Sequence, residues 1–270
     1  MAGRVILAVA GSGKTSHIIS QLEEDKTALL LTYTEANDKN LRRKVIVKFG
    51  RVPQGIEIYT YFSFLYSFCY KPFLMDRFPS RGVIFDFTAP RFAPKTNDKH
   101  YLSQGLMLYH ARLAKLLIEK GVMEKVKGRL SKYFEQVFID EVQDFAANDF
   151  NFLKSINDID SELMLVGDYY QHTFDTSRDG TTNGRLHTTE VRYHQDLSKA
   201  GFQIDTETLN RSHRCSDTVC EFIRTKLGIE IFSHREEPVQ VQLLTDPEEI
   251  SAVTQNASIV KLFYQKHTDY

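Results

Sequence analysis

The sequence predicts an α/β protein in which a parallel sheet is flanked by helices. Short apolar runs without polar alternation, the mark of strands buried on both faces, recur along the chain. Each is followed by a stretch of helical character rather than by a hairpin turn, which is the grammar of a doubly wound sheet. A glycine-rich loop stands between the first apolar run and the first helix, and in such sheets function gathers at the strand C-termini.

Arg4–Ala10 reads as the first strand, broken by Gly11-Ser-Gly-Lys14, after which Thr15–Ser20 opens a helix. Leu29–Tyr33 is a second buried strand, followed by a charged helix from Glu35 to Val47 that carries Arg42, Arg43 and Lys44. Ile56–Thr60 is a third, running into an aromatic helix start at Tyr61–Tyr66. Between Lys71 and Lys99 the pattern lapses: Pro72, Pro79, Pro90 and Pro94 lie among Arg and Phe, and a small inserted subdomain is expected over about 71–130. Within it a helix over about Leu102–Lys120 leads back toward the sheet, whose later strands are Gln136–Asp140 and Ser161–Val166. A helix at Ser216–Leu227 follows, then β-like runs at Ile229–Phe232 and Val239–Leu244. Thr245-Asp-Pro-Glu-Glu announces a last helix to about Gln265.

Composition narrows the class. With 42% hydrophobic and 26% charged residues, the 270-residue chain is neither disordered nor fibrous, and its length suits one large core with at most part of a second. Its 34 Lys+Arg balance 35 Asp+Glu, so any nucleic-acid affinity must arise from local clusters and not from net charge. Cys69, Cys215 and Cys220 form no CxxC pair, which points to free thiols in a reducing, cytoplasmic compartment. No apolar run approaches the ~20 residues of a membrane span.

Ala8-Val-Ala-Gly-Ser-Gly-Lys-Thr15 matches the phosphate-binding loop except that Ala8 replaces its first glycine, and it sits between strand and helix as the mechanism requires. Backbone N–H groups of Ala10, Gly11, Ser12 and Gly13 are placed to approach phosphates, Lys14 to neutralise the β/γ oxygens and Thr15 to ligate Mg²⁺. Asp140 and Glu141 end the apolar run Val137–Ile139, where Asp140 suits Mg²⁺ and Glu141 suits activation of water for attack on a γ-phosphate. ATP and Mg²⁺ are therefore the expected cofactors. A small-molecule kinase is permitted by the loop alone, but Gly167-Asp168-x-x-Gln171 argues against it.

Six segments carry a closer resemblance: Ala10–Thr15, Leu31-Thr-Tyr-Thr34, Thr60-Tyr-Phe-Ser-Phe64, Asp140-Glu-Val-Gln-Asp144, Val166-Gly-Asp-Tyr-Tyr-Gln171 and Ser212-His-Arg-Cys215. In this order they resemble the superfamily 1 helicases of the UvrD/PcrA/Rep type over about Val5–Leu227. The resemblance implies a RecA-like P-loop NTPase domain at 1–227 and, at 228–270, a C-terminal extension holding a truncated or rudimentary second lobe. It implies that Gln171 senses the γ-phosphate beside Gln143 and Asp144, and that Arg214 reaches it from the domain boundary; a helix-capping surface arginine is the alternative for Arg214. It also implies that Thr32, Thr34, Thr60, Ser63, Phe64 and Phe174 line a groove for single-stranded or forked DNA, with core packing the alternative for Phe64 and Phe174. Arg42, Arg43 and Lys44 are read either as phosphate contacts or as a solvated helix face.

One lobe alone is not expected to translocate, so a partner is implied, either the missing lobe or a nuclease. Tyr133–Asp140 is similar to the helicase-like subunit that accompanies OLD-type nucleases in antiphage systems such as Gabija. The competing expectation is an ATP-dependent switch that docks on and regulates such a nuclease without moving along DNA.

Overall fold

The computed structural model describes residues 2–86, 89–90, 92–237, 239 and 242–259. In chain order its first elements are β1 (Arg4–Leu7), α1 (Lys14–Gln21), β2 (Ala28–Thr32), α2 (Glu35–Phe49), β3 (Ile56–Thr60) and α3 (Tyr61–Phe64). A wide helical turn over Leu65–Tyr70 joins α3 to α4 (Lys71–Leu74), and β4 (Gly82–Ile84), β5 (Met107–Tyr109), α5 (His110–Glu119) and α6 (Met123–Tyr133) follow. Then come β6 (Gln136–Asp140), α7 (Ala147–Ser155), β7 (Glu162–Gly167), α8 (Glu190–Lys199) and β8 (Gln203–Asp205). The chain continues through β9 (Arg211–Ser216), α9 (Asp217–Leu227), β10 (Phe232–Arg235) and α10 (Pro247–Gln255).

Six strands form one sheet in the order β3-β2-β6-β7-β1-β8, every neighbouring pair parallel. This is the helix-flanked parallel α/β architecture expected from the sequence. Every residue of β2 and β6 is buried, which is why those segments read as unbroken apolar runs. Period-2 alternation divides them between two cores. Val5, Leu29, Leu31, Val137, Ile139 and Leu165 face an aromatic layer that includes Tyr61, Phe64, Phe145, Phe150 and Phe152. Ile6, Leu30, Phe138, Met164 and Val166 face Ile18 and Leu22 of the α1 segment and Leu41 and Val45 of α2.

Several expectations shift. The first strand ends at Leu7, because the chain turns out of the sheet there, with the Ala8 and Val9 amides donating to the Gly167 and Leu209 carbonyls. The expected helix over Leu102–Lys120 is only half helical. Leu106 takes a left-handed φ of 58°, Met107–Tyr109 pairs with β4, and the helix starts at His110. β8 was not anticipated, and the Ile229–Phe232 run moves to Phe232–Arg235, where it pairs with β9. Val239 and residues 242–244 form no strand, while Gln240 and Val241 lie outside the described residues. The last helix ends at Gln255, and 260–270, which include its expected end at Gln265, are likewise outside.

Two packing observations bear on the expected boundaries. Within about 71–130, Leu113, Leu116 and Leu117 of α5 belong to the same cluster as the sheet residues Leu31 and Val137. A boundary at 227 would divide the small parallel sheet in which β9 and β10 pair across α9, packed on Val9 through Cys220 and Ile231. Among the described residues no helix is long and apolar enough to cross a membrane.

Candidate nucleotide site

The C-terminal ends of β1, β6 and β7 are adjacent in the sheet, so the loops that follow them converge. After β1, the loop turns through Gly11 at φ 74° and Gly13 at φ 86°, backbone that residues with a Cβ adopt only with strain. Gly13 is the N-cap of α1, which has no side-chain cap and no acidic residue in its first turn. Thr34 caps α2, Thr189 caps α8 and Ser216 caps α9, while α5, α6 and α7, like α1, have no side-chain cap. What sets α1 apart is the glycine turn before it, which brings the first N–H groups and the positive dipole end of the helix to the C-terminal edge of the sheet.

Around this loop the side chains interlock. Lys14 Nζ lies 3.2 Å from Gln171 Oε1 and 3.8 Å from a carboxylate oxygen of Glu141. Thr15 Oγ1 donates to Asp140 Oδ2 at 3.2 Å, and the Glu141 amide donates to Asp140 Oδ1 at 3.0 Å. Gln143 bridges the acidic loop to the next strand: its Nε2 donates to Glu141 Oε2 at 2.9 Å and its Oε1 accepts from the Asp168 amide at 3.0 Å. Asp168 in turn accepts from the Tyr170 amide, shaping the turn that presents Gln171.

Electrostatics mark the acids. Burial, reinforced by the neighbouring Glu141 charge and opposed by Lys14 and Thr15, raises Asp140 to about 6. Burial also raises Asp144 and Asp168. A buried carboxylate beside a threonine hydroxyl, both at the mouth of a glycine loop, is a donor set that fits Mg²⁺.

The structure therefore brings together Ala10–Thr15, Asp140, Glu141 and Gln171. Arg214 is not a helix cap: it lies on β9, which lies against the loop. The His213 amide donates to the Gly11 carbonyl at 2.9 Å, and a Cβ built on Gly11 would stand 2.7 Å from Arg214 Cβ and 2.9 Å from Ser212 Oγ. Among the described residues the Arg214 guanidinium has no hydrogen-bond partner, and the His213 ring stacks on His234 with centroids 4.0 Å apart. Gly11→Ala is thus expected to destabilise the fold by about 1–3 kcal/mol, from left-handed strain plus overpacking against β9, as read by urea unfolding.

The residues expected to meet nucleic acid separate into two groups. Thr60 and Ser63 line an open groove of about 430 Å³ with Tyr33, Phe62, Tyr66 and Phe85. Thr34, which is not among the groove-lining residues, caps α2, and the partly exposed Phe174 ring lies 5.0 Å from the groove residue Tyr33. Phe64 and Thr32 require correction, because both are 0% exposed. Phe64 packs among Tyr59, Phe68 and Phe152, and it is Tyr66 and Phe85, which sequence reasoning passed over, that reach the surface. Arg42 pairs with Asp38 and donates to the Ile58 carbonyl, Arg43 to Asn40 and Lys44 to Ser16, so this charge run is a helix face tied to its own protein.

Fold and loop together define a class: a parallel α/β domain with a glycine loop at the C-terminal end of β1. No protein-family model matches the chain, and no curated protein does. Among solved structures it is similar to the arterivirus nonstructural protein 10 helicase in complex with DNA, with 13% identity and a TM-score of 0.40 over 92% of this chain and 45% of that one. It is also similar to the PRRSV helicase, with 14% identity and a TM-score of 0.36 over 88% of this chain and 38% of that one. The chain spans less than half the length of either.

Proposed function

We propose that this chain is an ATP-binding and ATP-hydrolysing subunit of the UvrD-like superfamily 1 helicase type, acting on single-stranded or forked DNA. The observation that carries the reading is the convergence of Lys14, Glu141, Gln171, Thr15 and Asp140 on an uncapped glycine loop. Each group has a distinct task. Lys14, shared between Gln171 and Glu141, exchanges those partners for terminal phosphate oxygens. Glu141 then holds a water and takes its proton, Gln171 registers whether the terminal phosphate is present, and Arg214 adds positive charge from β9. Thr15 and Asp140 would hold Mg²⁺, which supplies charge neutralisation at the phosphates. The aromatic groove beside Phe174 offers flat rings for bases of any sequence. Cytoplasmic antiphage defence beside an OLD-type nuclease belongs to the same reading and rests on the resemblance of Tyr133–Asp140.

A second reading, a non-translocating nucleotide switch that regulates a partner nuclease, draws support from the direct bond between His213 and Gly11. Through it the loop can pass its nucleotide state to β9 without turnover. ATP hydrolysis by wild type and Lys14→Ala, each with and without single-stranded DNA at low salt, separates the two. The helicase reading expects DNA-stimulated turnover that falls at least about 10²-fold in the variant. Tight nucleotide binding without turnover, lost in Lys14→Ala, would favour the switch. Turnover indifferent to Lys14→Ala would overturn both.

A further inference from the structure

Beyond the phosphate loop, the segment after Gln171 brings two imidazoles and a carboxylate together. Asp175 Oδ1 lies 3.4 Å from His172 Nε2 and 3.8 Å from His187 Nδ1, and donor atoms of the three residues all fall within 4.8 Å of one another. A tetrahedral zinc ion with bonds of ~2.0–2.1 Å sets its donors about 3.3 Å apart, so the spacing is close to that of a bound ion. The second oxygen of Asp175 is engaged by Arg178, which leaves Oδ1 for the cluster. Behind one ring, His172 Nδ1 faces Asp144 Oδ1 at 3.6 Å, while His187 Nε2 is buried without a hydrogen-bond partner among the described residues. An acceptor behind a metal-ligating imidazole, as Asp144 stands behind His172, is the outer arrangement that fixes its tautomer. Neither Asp144 Oδ1 nor His172 Nδ1, both buried, has a closer hydrogen-bond partner among the described residues.

We infer that His172, Asp175 and His187 form a site for a late first-row divalent cation of the zinc class. Two imidazoles and one carboxylate select that class over magnesium, and three protein donors leave one position for water. A solvent-open cavity of about 450 Å³ lined by His172, Asp175 and His187 gives the entry path. The rings now lie face to face, 3.8 Å apart and 16° from parallel, so coordination requires them to splay on the Asp175 side. That motion acts on the residue next to Gln171 and, through Asp144 and Gln143, on the segment that holds Glu141. The ion would therefore brace the site from behind without touching the nucleotide. The inference does not depend on the nucleotide being ATP or on hydrolysis.

The test is a titration of the metal-free full chain with Co²⁺, followed by visible absorption and displaced by Zn²⁺, with calorimetry of Zn²⁺ alone. The expected result is one equivalent bound without thiolate charge-transfer bands, and affinity at least about tenfold weaker in Asp175→Asn and His187→Ala. Circular dichroism establishes that each variant is folded; if His187→Ala is not, Asp175→Asn decides alone. Absence of saturable binding, unchanged affinity in the folded variants, or binding that disappears in Cys215→Ser would overturn the proposal.

Discussion

Glu141→Gln is expected to keep nucleotide affinity while lowering ATP turnover about 10²–10⁴-fold, the usual contribution of a positioned general base. The geometry argues for this separation of effects. Glu141 is held at φ 58°, a left-handed conformation that a residue with a Cβ occupies only when its surroundings enforce it. Here the enforcement is visible: its amide donates to Asp140, and its carboxylate accepts from Gln143 and lies 3.8 Å from Lys14. A glutamine preserves the volume and accepts from Gln143 through its amide oxygen, so the loop keeps its shape. What it loses is the negative charge and the basic lone pair. Single-turnover hydrolysis set beside binding of a fluorescent nucleotide reads the two separately. Undiminished hydrolysis would remove Glu141 from the base role, and lost binding would make it a structural member of the loop.

The parts of this site that were legible in the sequence are those where local rules and burial agree. β2, β3 and β6 begin and end within a residue of their expected positions: β2 and β6, inside the parallel sheet, are buried throughout, while β3, at its edge, buries Ile56 and Ile58 in alternation. Ser216 and Gly228 bracket α9 as cap and left-handed terminator, and both are readable as such. β8 escaped notice because three residues, Gln203-Ile-Asp205, at an exposed edge carry neither apolar length nor alternation. β4 and β5 escaped for the same reason, and in the second case the helical spacing of α5 extends visually backward across Leu106.

The groove residues show a different limit. Over Tyr61–Phe68 five of the eight residues are aromatic, so composition does not say which rings face out. The helical turn does: Tyr61, Phe64, Leu65 and Phe68 point inward, Phe62 is buried at the groove floor, and Ser63, Tyr66 and Ser67 reach the groove. A motif transferred by position placed Phe64 on the nucleic-acid side, and the packing of its ring against Phe152 and Phe68 reverses that. The His172, Asp175 and His187 cluster was invisible for a third reason: it depends on the path of a loop rather than on a spacing.

The largest stability effect is expected from Asp149→Asn, and its sign follows from burial. Asp149 is fully buried on α7, accepts from the Tyr61 hydroxyl at 3.1 Å, and has its other oxygen without a hydrogen-bond partner. Burial raises its carboxyl from 3.8 to about 7, against the opposing influence of the Ser177, Thr176 and Tyr61 hydroxyls. A carboxyl raised in the folded state binds a proton that the unfolded chain has already released, so its contribution to stability falls as pH rises from about 4 to about 7. Asparagine is neutral at every pH in this range, keeps an acceptor for Tyr61 and gains a donor toward the hydroxyls of Thr176 and Ser177. The variant should match wild type near pH 4 and exceed it by about 2–4 kcal/mol at pH 8, by the linkage of ~1.4 kcal/mol per unit. The difference between the two proteins isolates this residue. His187, which burial and its neighbour His172 lower to about 4, acts in the opposite sense, losing stability as pH falls from its ordinary value of 6.5 toward 4, but contributes equally to both. Urea unfolding at several pH values from 4.5 to 8 measures the gap. A gap that does not change with pH would mean that Asp149 stays ionised in the folded protein, with its charge stabilised by the two hydroxyls and Tyr61 alone.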